Sequence, residues 1–207
     1  MPITIGLDLD NTLISYDEVL RELAAPLVPE SVGPESTKRT IRDSLRRLQN
    51  GEDKWQDLQA RIYGPDIGRA RLIPGVMDFL ETCRRKSWRV CIVSHKTEFA
   101  SRDTTGTHLH RAAMSWLQDQ GFFAPTRGGL EKDQVYFETT RAAKISRIKM
   151  LGCRVFVDDL AELFAEKDFP EDVVKILYNP EDQSSDPDVI ALPTWQTITS
   201  EVSRRFG

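Results

Sequence analysis

This chain of 207 residues has few cysteines, no long apolar run and no excess of basic charge. Its 28 basic residues are outnumbered by 32 acidic ones, which gives a formal net charge of −4. Nucleic-acid binding usually requires a strongly basic face, and this balance gives no reason to expect one. No apolar run approaches the roughly 20 residues that span a bilayer. We therefore expect neither nucleic acid nor a membrane among the partners of this protein.

The three cysteines, Cys83, Cys91 and Cys153, cannot all pair, and their neighbours are largely apolar. This usage is typical of small buried side chains in a reducing compartment. A catalytic thiol would need an activating basic neighbour at a strand end, and none is evident. The chain also enters an apolar segment almost at once without the pattern of a signal peptide, so the expected location is the cytoplasm.

An apolar and β-branched segment near the start of the chain ends in two acids. Residues Ile3 to Leu7 are followed by Asp8 and Asp10, which are one residue apart. The pattern predicts a short buried strand with both carboxylates at its carboxyl end, where open α/β sheets bind ligands. Crowded carboxylates repel each other and lose hydration, and Mg²⁺ prefers hard oxygen ligands of this kind. This segment therefore predicts metal-assisted chemistry on an anionic substrate.

Two later predicted strands also end in polar residues. Residues 89–93 form an apolar segment before Ser94, and residues 154–157 form another before Asp158 and Asp159. Further strands are predicted at residues 135–137 and 173–177, and helical periodicity fills the segments between the strands. This alternation predicts an α/β fold in which helices cover both faces of a parallel sheet. The carboxyl ends of parallel strands meet at one edge, so we expect these polar residues to converge.

Residues 16–72 interrupt the alternation with a helical insertion. Apolar residues at helical spacing predict helices over residues 16–25, 35–50 and 53–63, separated by Pro- and Gly-rich breaks. A structureless connection of this length would be unusual. The predicted organisation is therefore an α/β core formed by residues 1–15 and 73–207, and a helical domain formed by residues 16–72.

The motifs, in this order, resemble those of the haloacid dehalogenase superfamily of phosphohydrolases. The first motif is similar to Asp8-Leu9-Asp10-Asn11-Thr12, the second to Ser94, the third to Lys144 and the fourth to Asp158-Asp159. The resemblance covers residues 1–15 and about 73–160. It implies a Rossmann-like core of three α/β/α layers, with residues 16–72 as a small helical cap. For the third motif, Arg141 and Lys149 remain alternatives to Lys144.

The resemblance implies a role for each matched residue. Asp8 is the nucleophile that forms an aspartyl-phosphate, Asp10 is the general acid and then the base, and Thr12 orients Asp10. Mg²⁺ is the implied cofactor, with Asp159 as the favoured direct ligand and Asp158 as a water-mediated ligand or an orienting partner. The full sets of implied residues are Asn11, Thr12, Ser94, His95 and Lys144 for phosphate, and Asp8, the carbonyl of Asp10, Asp158 and Asp159 for the metal. His95 is equally compatible with an exposed loop residue.

Basic and aromatic residues are frequent in the insertion, and two interpretations are open. They could form a lid that grips the non-phosphate part of a substrate, or a solvated amphipathic surface, and the second interpretation suits most of the arginines. The candidate basic and aromatic residues of the insertion are Tyr16, Arg21, Lys38, Arg39, Arg42, Arg46, Arg47, Trp55, Arg61 and Tyr63.

The loops at residues 104–106 and 127–129 are further candidates for the rim of the site.

The function expected from these features is that of a Mg²⁺-dependent phosphatase acting on a small phosphorylated metabolite. A looser resemblance to superfamily members associated with bacterial surface-polysaccharide synthesis points to a sugar-linked phosphate. A phosphomutase or phosphotransferase would carry the same motifs. A non-catalytic binding protein of this fold typically lacks the nucleophile or the metal-binding acids, and this chain retains both. The sequence leaves open whether the protein is a monomer or a homodimer.

Overall fold

The computed structural model describes residues 2–102, 105–179 and 186–207, and the chain divides into two compact units. The first unit is formed by Met1–Ile14, Leu72–Lys96 and Leu117–Gly207, and the second by Ser15–Arg71 and Thr97–Trp116. Segment 97–116 therefore groups with the helical unit, although its sequence pattern suggested a place in the α/β core. Thr104, in one of the proposed rim loops, lies outside the described residues.

Strands and helices alternate along most of the chain. The strands are β1 (Thr4–Leu7), β2 (Ile14–Ser15), β3 (Arg71–Leu72), β4 (Arg89–His95), β5 (Val135–Glu138), β6 (Cys153–Asp158), β7 (Val174–Tyr178) and β8 (Val189–Leu192). The helices are α1 (Asp17–Ala24), α2 (Lys38–Arg46), α3 (Gly51–Tyr63), α4 (Val76–Arg85), α5 (Leu109–Asp119), α6 (Arg141–Met150), α7 (Ala161–Phe164) and α8 (Trp195–Phe206). Every helix in this described part of the chain is too short or too polar to cross a membrane.

Six parallel strands form the sheet of the first unit, in the order β5-β4-β1-β6-β7-β8. The chain builds outward from β1 to β4 and β5 on one side, and then returns to the other side of β1 with β6. In open α/β sheets, the ligand crevice lies outside the carboxyl ends of the strands where the order reverses in this way. The topology confirms the predicted α/β fold and places β1 at the reversal. Strand β8 has no counterpart among the strands predicted from the sequence.

Both faces of this sheet are buried. On one face, Phe156 of β6 packs with Ile145 and Ile148 of α6 in an apolar cluster. Strand residues whose side chains point to the other face, such as Ile92 in β4 and Val157 in β6, are also completely buried. Because successive side chains of a strand point to opposite faces, burial of both sets requires cover on each side. The first unit is therefore a three-layer α/β/α structure.

The second unit has its own apolar core, in which α1, α2 and α3 pack together. Helix α2 begins after Thr37, whose hydroxyl accepts a hydrogen bond from the backbone N–H of Thr40 in a reciprocal capping box. This cap starts the helix three residues later than the sequence pattern predicted. Asn50, with a φ of 55°, precedes α3, which begins at Gly51, two residues earlier than predicted, and ends before Gly64 as predicted. The core residues are Leu20, Ala24, Val28, Ile41, Leu45, Trp55 and Leu58.

Gly6 makes room for close side-chain packing at the centre of the sheet. It lies between Cys91 of β4 and Phe156 of β6 in the strand register. Above it, the sulfur of Cys91 reaches to 3.8 Å from that of Cys153. All three cysteines are buried and free, as the sequence predicted, and burial raises the pKa of the Cys83 thiol to about 12. The space over Gly6 is therefore filled by neighbouring side chains.

We expect Gly6→Ala to destabilise the protein by about 1–3 kcal/mol, the usual cost of overpacking a core. A Cβ at this position would lie 2.5 Å from Cδ2 of Phe156 and 3.0 Å from Sγ of Cys153. The matched control is Gly68→Ala, because a Cβ at Gly68 meets nothing within 4 Å. Urea unfolding of both variants tests the prediction, and equal stability of the two would contradict it.

Candidate active site

Asp8 and Asp10 follow β1 and lie at the carboxyl edge of the sheet. The N–H of Asp8 donates to the carbonyl of Val157 at 2.8 Å, so the pairing of β1 with β6 continues to this residue. The carbonyl of Leu9 then accepts the N–H of Leu13 at 2.9 Å and closes a tight turn. Asn11 adopts a left-handed backbone conformation within that turn, with a φ of 60°, which asparagine tolerates better than most residues. Asp8 is thereby buried, and Asp10 lies at the start of the turn.

Lys144 joins β1 and β6 through two ion pairs. Its Nζ lies 2.5 Å from Oδ1 of Asp8 and 2.6 Å from Oδ2 of Asp158, and its side chain is 3% exposed. Helix α6 begins after Thr140, whose hydroxyl accepts the N–H of Ala143 at 3.1 Å. This start places Lys144 within the first turns of the helix, on the face that is buried against the sheet. The ammonium group is thus held between the carboxylates of two adjacent strands.

Arg141 and Lys149, the alternatives to Lys144, lie elsewhere on α6. Arg141 forms an ion pair with Glu166 at 2.7 Å, and both side chains are more than 40% exposed. Lys149 is exposed. Of these three basic residues, Lys144 is the one that contacts the acids.

The acids themselves form a cluster suited to a cation. One carboxylate oxygen from each of Asp8, Asp158 and Asp159 lies within 4.8 Å of the others. Oδ1 of Asp158 also accepts the N–H of Leu160 at 2.9 Å, while Oδ2 faces Lys144, so both of its oxygens are engaged. Asp159 follows β6 and is partly exposed. Carboxylate oxygens are the donors that Mg²⁺ prefers, and this set therefore fits that ion.

Burial dominates the electrostatics of Asp8. It raises the pKa of this carboxyl well above its ordinary value, and the negative charges of Asp158, Asp159 and Asp10 raise it further, while Lys144 acts in the opposite direction. Burial alone would lower the pKa of Lys144, but the attraction and hydrogen bonds of Asp8 and Asp158 raise it above its ordinary value. Lys144 therefore remains cationic, and the cluster carries more negative charge than one lysine offsets. Perturbed groups of this kind are frequent at functional sites.

Lys96 is a residue of the site that sequence reasoning missed. Its Nζ lies 2.8 Å from Oδ2 of Asp10, and its side chain is 3% exposed. The resemblance gave the orienting role to Thr12, but the hydroxyl of Thr12 is buried and has no hydrogen-bond partner in the described part of the chain. The run Ser94-His95-Lys96 places Lys96 at a predicted strand end, but the sequence does not show its contact with Asp10.

The other predicted phosphate-binding residues lie at the same sheet edge with different exposures. Ser94 is buried near the end of β4, the strand next to β1. His95 is exposed, and its Nε2 lies 3.1 Å from the carbonyl oxygen of Thr139. Asn11 is partly buried in the turn after β1. Ser94 therefore borders the acid cluster through its strand, whereas the imidazole of His95 is engaged at the end of β5.

Most of the basic and aromatic residues named in the insertion have described contacts within their own unit. The aromatic rings of Tyr16 and Tyr63 meet edge to face with centroids 4.9 Å apart, and Trp55 is buried in the core. Four of the arginines named above form ion pairs within the second unit, which agrees with the interpretation of a solvated surface. These pairs are Arg39–Asp43, Arg42–Asp43, Arg46–Glu52 and Arg61–Asp66.

The raised pKa of Asp8 predicts a specific pH dependence of stability in the absence of metal. Between the ordinary value of 3.8 and the raised folded value, the folded protein binds more protons than the unfolded chain. The free energy of unfolding should therefore fall as pH rises through this window. We expect Asp8→Asn to remove this decline and to stabilise the metal-free protein at neutral pH, with the gain shrinking towards the acidic end.

Urea unfolding in a chelator, from about pH 4 to about pH 8, measures this effect. Asp172→Asn, at an exposed carboxylate, is the matched control and should follow the wild type. An Asp8→Asn protein that is less stable than the wild type at every pH would refute the prediction.

Solved structures share this architecture over the whole chain, whereas no protein-family model and no curated protein matches the sequence. A haloacid dehalogenase-like hydrolase of Streptococcus pneumoniae aligns with a TM-score of 0.61 and 17% identity, covering 100% of this chain and 99% of its own. A predicted phosphoglycolate phosphatase of Haemophilus somnus aligns with a TM-score of 0.55 and 14% identity, covering 97% and 98%. A HAD-hydrolase of Bacillus subtilis bound to magnesium aligns with a TM-score of 0.53 and 12% identity, covering 97% and 98%. The fold of this chain is therefore that of the haloacid dehalogenase-like hydrolases.

Proposed function

We propose that this protein is a Mg²⁺-dependent phosphatase that hydrolyses a small phosphorylated metabolite through an aspartyl-phosphate intermediate. The observation that carries the proposal is the position of Lys144 between Asp8 and Asp158, with Asp159 in the same cluster. A buried nucleophile, a fixed cation and a set of oxygen ligands are the groups that phosphoryl transfer requires. They lie where the strand order reverses, which is the expected ligand site of such a sheet.

The similar structures support the same chemistry. One is described as a predicted phosphoglycolate phosphatase, and another contains magnesium. At identities of 14% and 12%, these likenesses support the fold, and the motif residues of this chain supply the argument for activity. The chain keeps the nucleophile Asp8 together with Asp10, which a phosphatase needs for proton transfer.

The charge balance favours a divalent cation. Asp8, Asp10, Asp158 and Asp159 face the ammonium groups of Lys96 and Lys144, so the acids exceed the lysines by two. We assign the metal to Asp8, the backbone carbonyl of Asp10 and Asp159, with Asp158 oriented by Lys144 and the N–H of Leu160. When bound, Mg²⁺ withdraws charge from the oxygens of the transferring phosphoryl group.

In the first step, the carboxylate of Asp8 attacks phosphorus in line with the leaving group. The new bond joins an Asp8 oxygen to phosphorus, and the bond from phosphorus to the leaving oxygen breaks. Asp10 donates a proton to that leaving oxygen, which departs as an alcohol. Lys144 and Ser94 hold the phosphoryl oxygens and the nucleophile, since Lys144 already contacts Asp8.

In the second step, water attacks the phosphorus of the aspartyl-phosphate. Asp10, now ionised, accepts a proton from this water as the oxygen–phosphorus bond forms. The bond between phosphorus and Asp8 breaks, which releases inorganic phosphate and restores the carboxylate. A phosphomutase or phosphotransferase would differ here, because a second hydroxyl group would replace water.

We expect the purified protein with Mg²⁺ to release phosphate from at least one member of a panel of small phosphate esters that includes sugar phosphates. Asp8→Asn should lower kcat by at least about 10³-fold because the nucleophile is lost. Lys144→Met should lower it by about 10²-fold or more because the charge on the phosphoryl group is no longer offset.

Lys149→Met, at an exposed lysine of the same helix, is the matched control and should retain activity. Free phosphate is measured together with the formation of phosphate isomers. Isomer formation without phosphate release would favour the mutase, and full activity of Asp8→Asn would exclude the proposed nucleophile.

We also expect Mg²⁺ to stabilise the folded protein, because the cation binds the assembled acids and not the unfolded chain. At about 100 times the dissociation constant, the gain in unfolding free energy is about 2.7 kcal/mol. Thermal unfolding with and without Mg²⁺ measures it without requiring a substrate. Asp159→Asn should lose most of the shift, whereas Asp172→Asn should keep it. An unchanged shift in Asp159→Asn would remove Asp159 from the ligand set.

A further inference from the structure

Lys96 is placed to control the carboxyl group of Asp10. It directly follows β4, and its N–H donates to the carbonyl of Glu138 at 2.9 Å, so its backbone is fixed beside β5. Its side chain is almost completely buried and ends 2.8 Å from Oδ2 of Asp10. A long flexible side chain is thus held in one arrangement by a fixed backbone and by a charged partner.

The burial of this ammonium group needs an explanation beyond stability. Removing a lysine from water costs several kcal/mol, and a buried ion pair often stabilises a protein no better than apolar residues of similar size. Such pairs are instead able to fix one geometry, because removing either partner leaves an uncompensated buried charge. The pair therefore constrains where the carboxyl of Asp10 can lie.

The turn itself supplies less control of Asp10 than expected. The hydroxyl of Thr12, to which the resemblance gave this role, is completely buried and has no hydrogen-bond partner in the described residues. The backbone of Thr12 is held instead, because Nε1 of Trp195 donates to its carbonyl at 3.0 Å. Trp195 therefore holds the main chain of the turn, whereas Lys96 contacts the carboxyl group of Asp10.

We propose that Lys96 is a positioning residue that holds the carboxyl of Asp10 towards the leaving-group oxygen. This inference rests on the proposed function, in which Asp10 transfers the proton. Lys96 acts through Asp10 and does not touch the phosphoryl group. Its loss should therefore weaken proton transfer to the leaving group more than attack by Asp8.

Two esters of similar shape distinguish these effects. Phenyl phosphate has a basic leaving group that needs a proton, whereas p-nitrophenyl phosphate has a good leaving group that needs little help. We expect Lys96→Met to lower kcat/KM for phenyl phosphate by about 10²-fold or more, the usual range for general acid catalysis, and for p-nitrophenyl phosphate by less than about 10-fold. Lys96→Arg, which keeps the charge, should recover part of the loss, and Lys149→Met should resemble the wild type. An equal loss with both esters would overturn the proposal.

A double-mutant cycle tests whether Lys96 acts through Asp10. If it does, adding Lys96→Met to Asp10→Asn should change kcat/KM for phenyl phosphate by less than about 3-fold. A further loss as large as that in the wild-type background would mean that Lys96 acts on the substrate itself. If Lys96→Met alone does not fold, the comparison of the double variant with Asp10→Asn remains available, because the double variant removes both charges of the pair.

Crystal structures of the wild type and Lys96→Met with Mg²⁺ provide a readout that needs no activity. We expect the side chain of Asp10 to leave its position in the variant, while Asp8 and Lys144 remain in place. An Asp10 carboxyl that superimposes on that of the wild type would overturn the positioning role. If the wild type hydrolyses neither ester, the panel of small phosphate esters still tests the phosphatase function, and the two crystal structures decide whether Lys96 positions Asp10.

Discussion

The buried ammonium group of Lys144 is the interaction on which the site depends. It is bonded to carboxylates of Asp8 and Asp158, and so connects helix α6 to the two central strands β1 and β6. A cation near the amino end of a helix is disfavoured by the helix dipole, and its burial adds a desolvation cost. Attraction to the two carboxylates acts against both costs. The pairing therefore requires the register of the strands, the start of α6 and the acid cluster to form together.

The same arrangement gathers four carboxyl groups near two lysines. Two lysines are divided among the acids, with Lys144 against Asp8 and Asp158 and Lys96 against Asp10. Burial raises the pKa of Asp8, and the charges of three other carboxyl groups raise it further, while Lys144 lowers it. A core selected for stability alone would not retain such a cluster, since removing a charge would relieve the repulsion. The cost is reasonable if a divalent cation and an anionic substrate complete the site.

Local patterns in the sequence were sufficient to predict the strands that carry the acids of the site. Apolar segments followed by Asp8 or Asp158 predicted their places, because parallel strands bring their carboxyl ends to one edge. The contact of Lys96 with Asp10 could not be predicted, because it depends on how far β4 extends relative to β1. Segment 97–116 groups with the helical unit for a nonlocal reason. Arg102 pairs with Asp53 and Asp57, and these contacts to α3 have no signature in the local pattern.

The turn that carries Asp10 is positioned by parts of the chain that are distant in sequence. Trp195 opens α8, hydrogen-bonds the carbonyl of Thr12 and packs against Phe79 of α4 with ring centroids 5.0 Å apart. Lys96, at the end of β4, reaches Asp10 itself. In the proposed mechanism Asp10 first donates and then accepts a proton, so its carboxyl group must keep its place through both steps, and such precision requires support from rigid elements. Here the support comes from a helix for the main chain and from a strand end for the side chain, so the turn need not be rigid by itself.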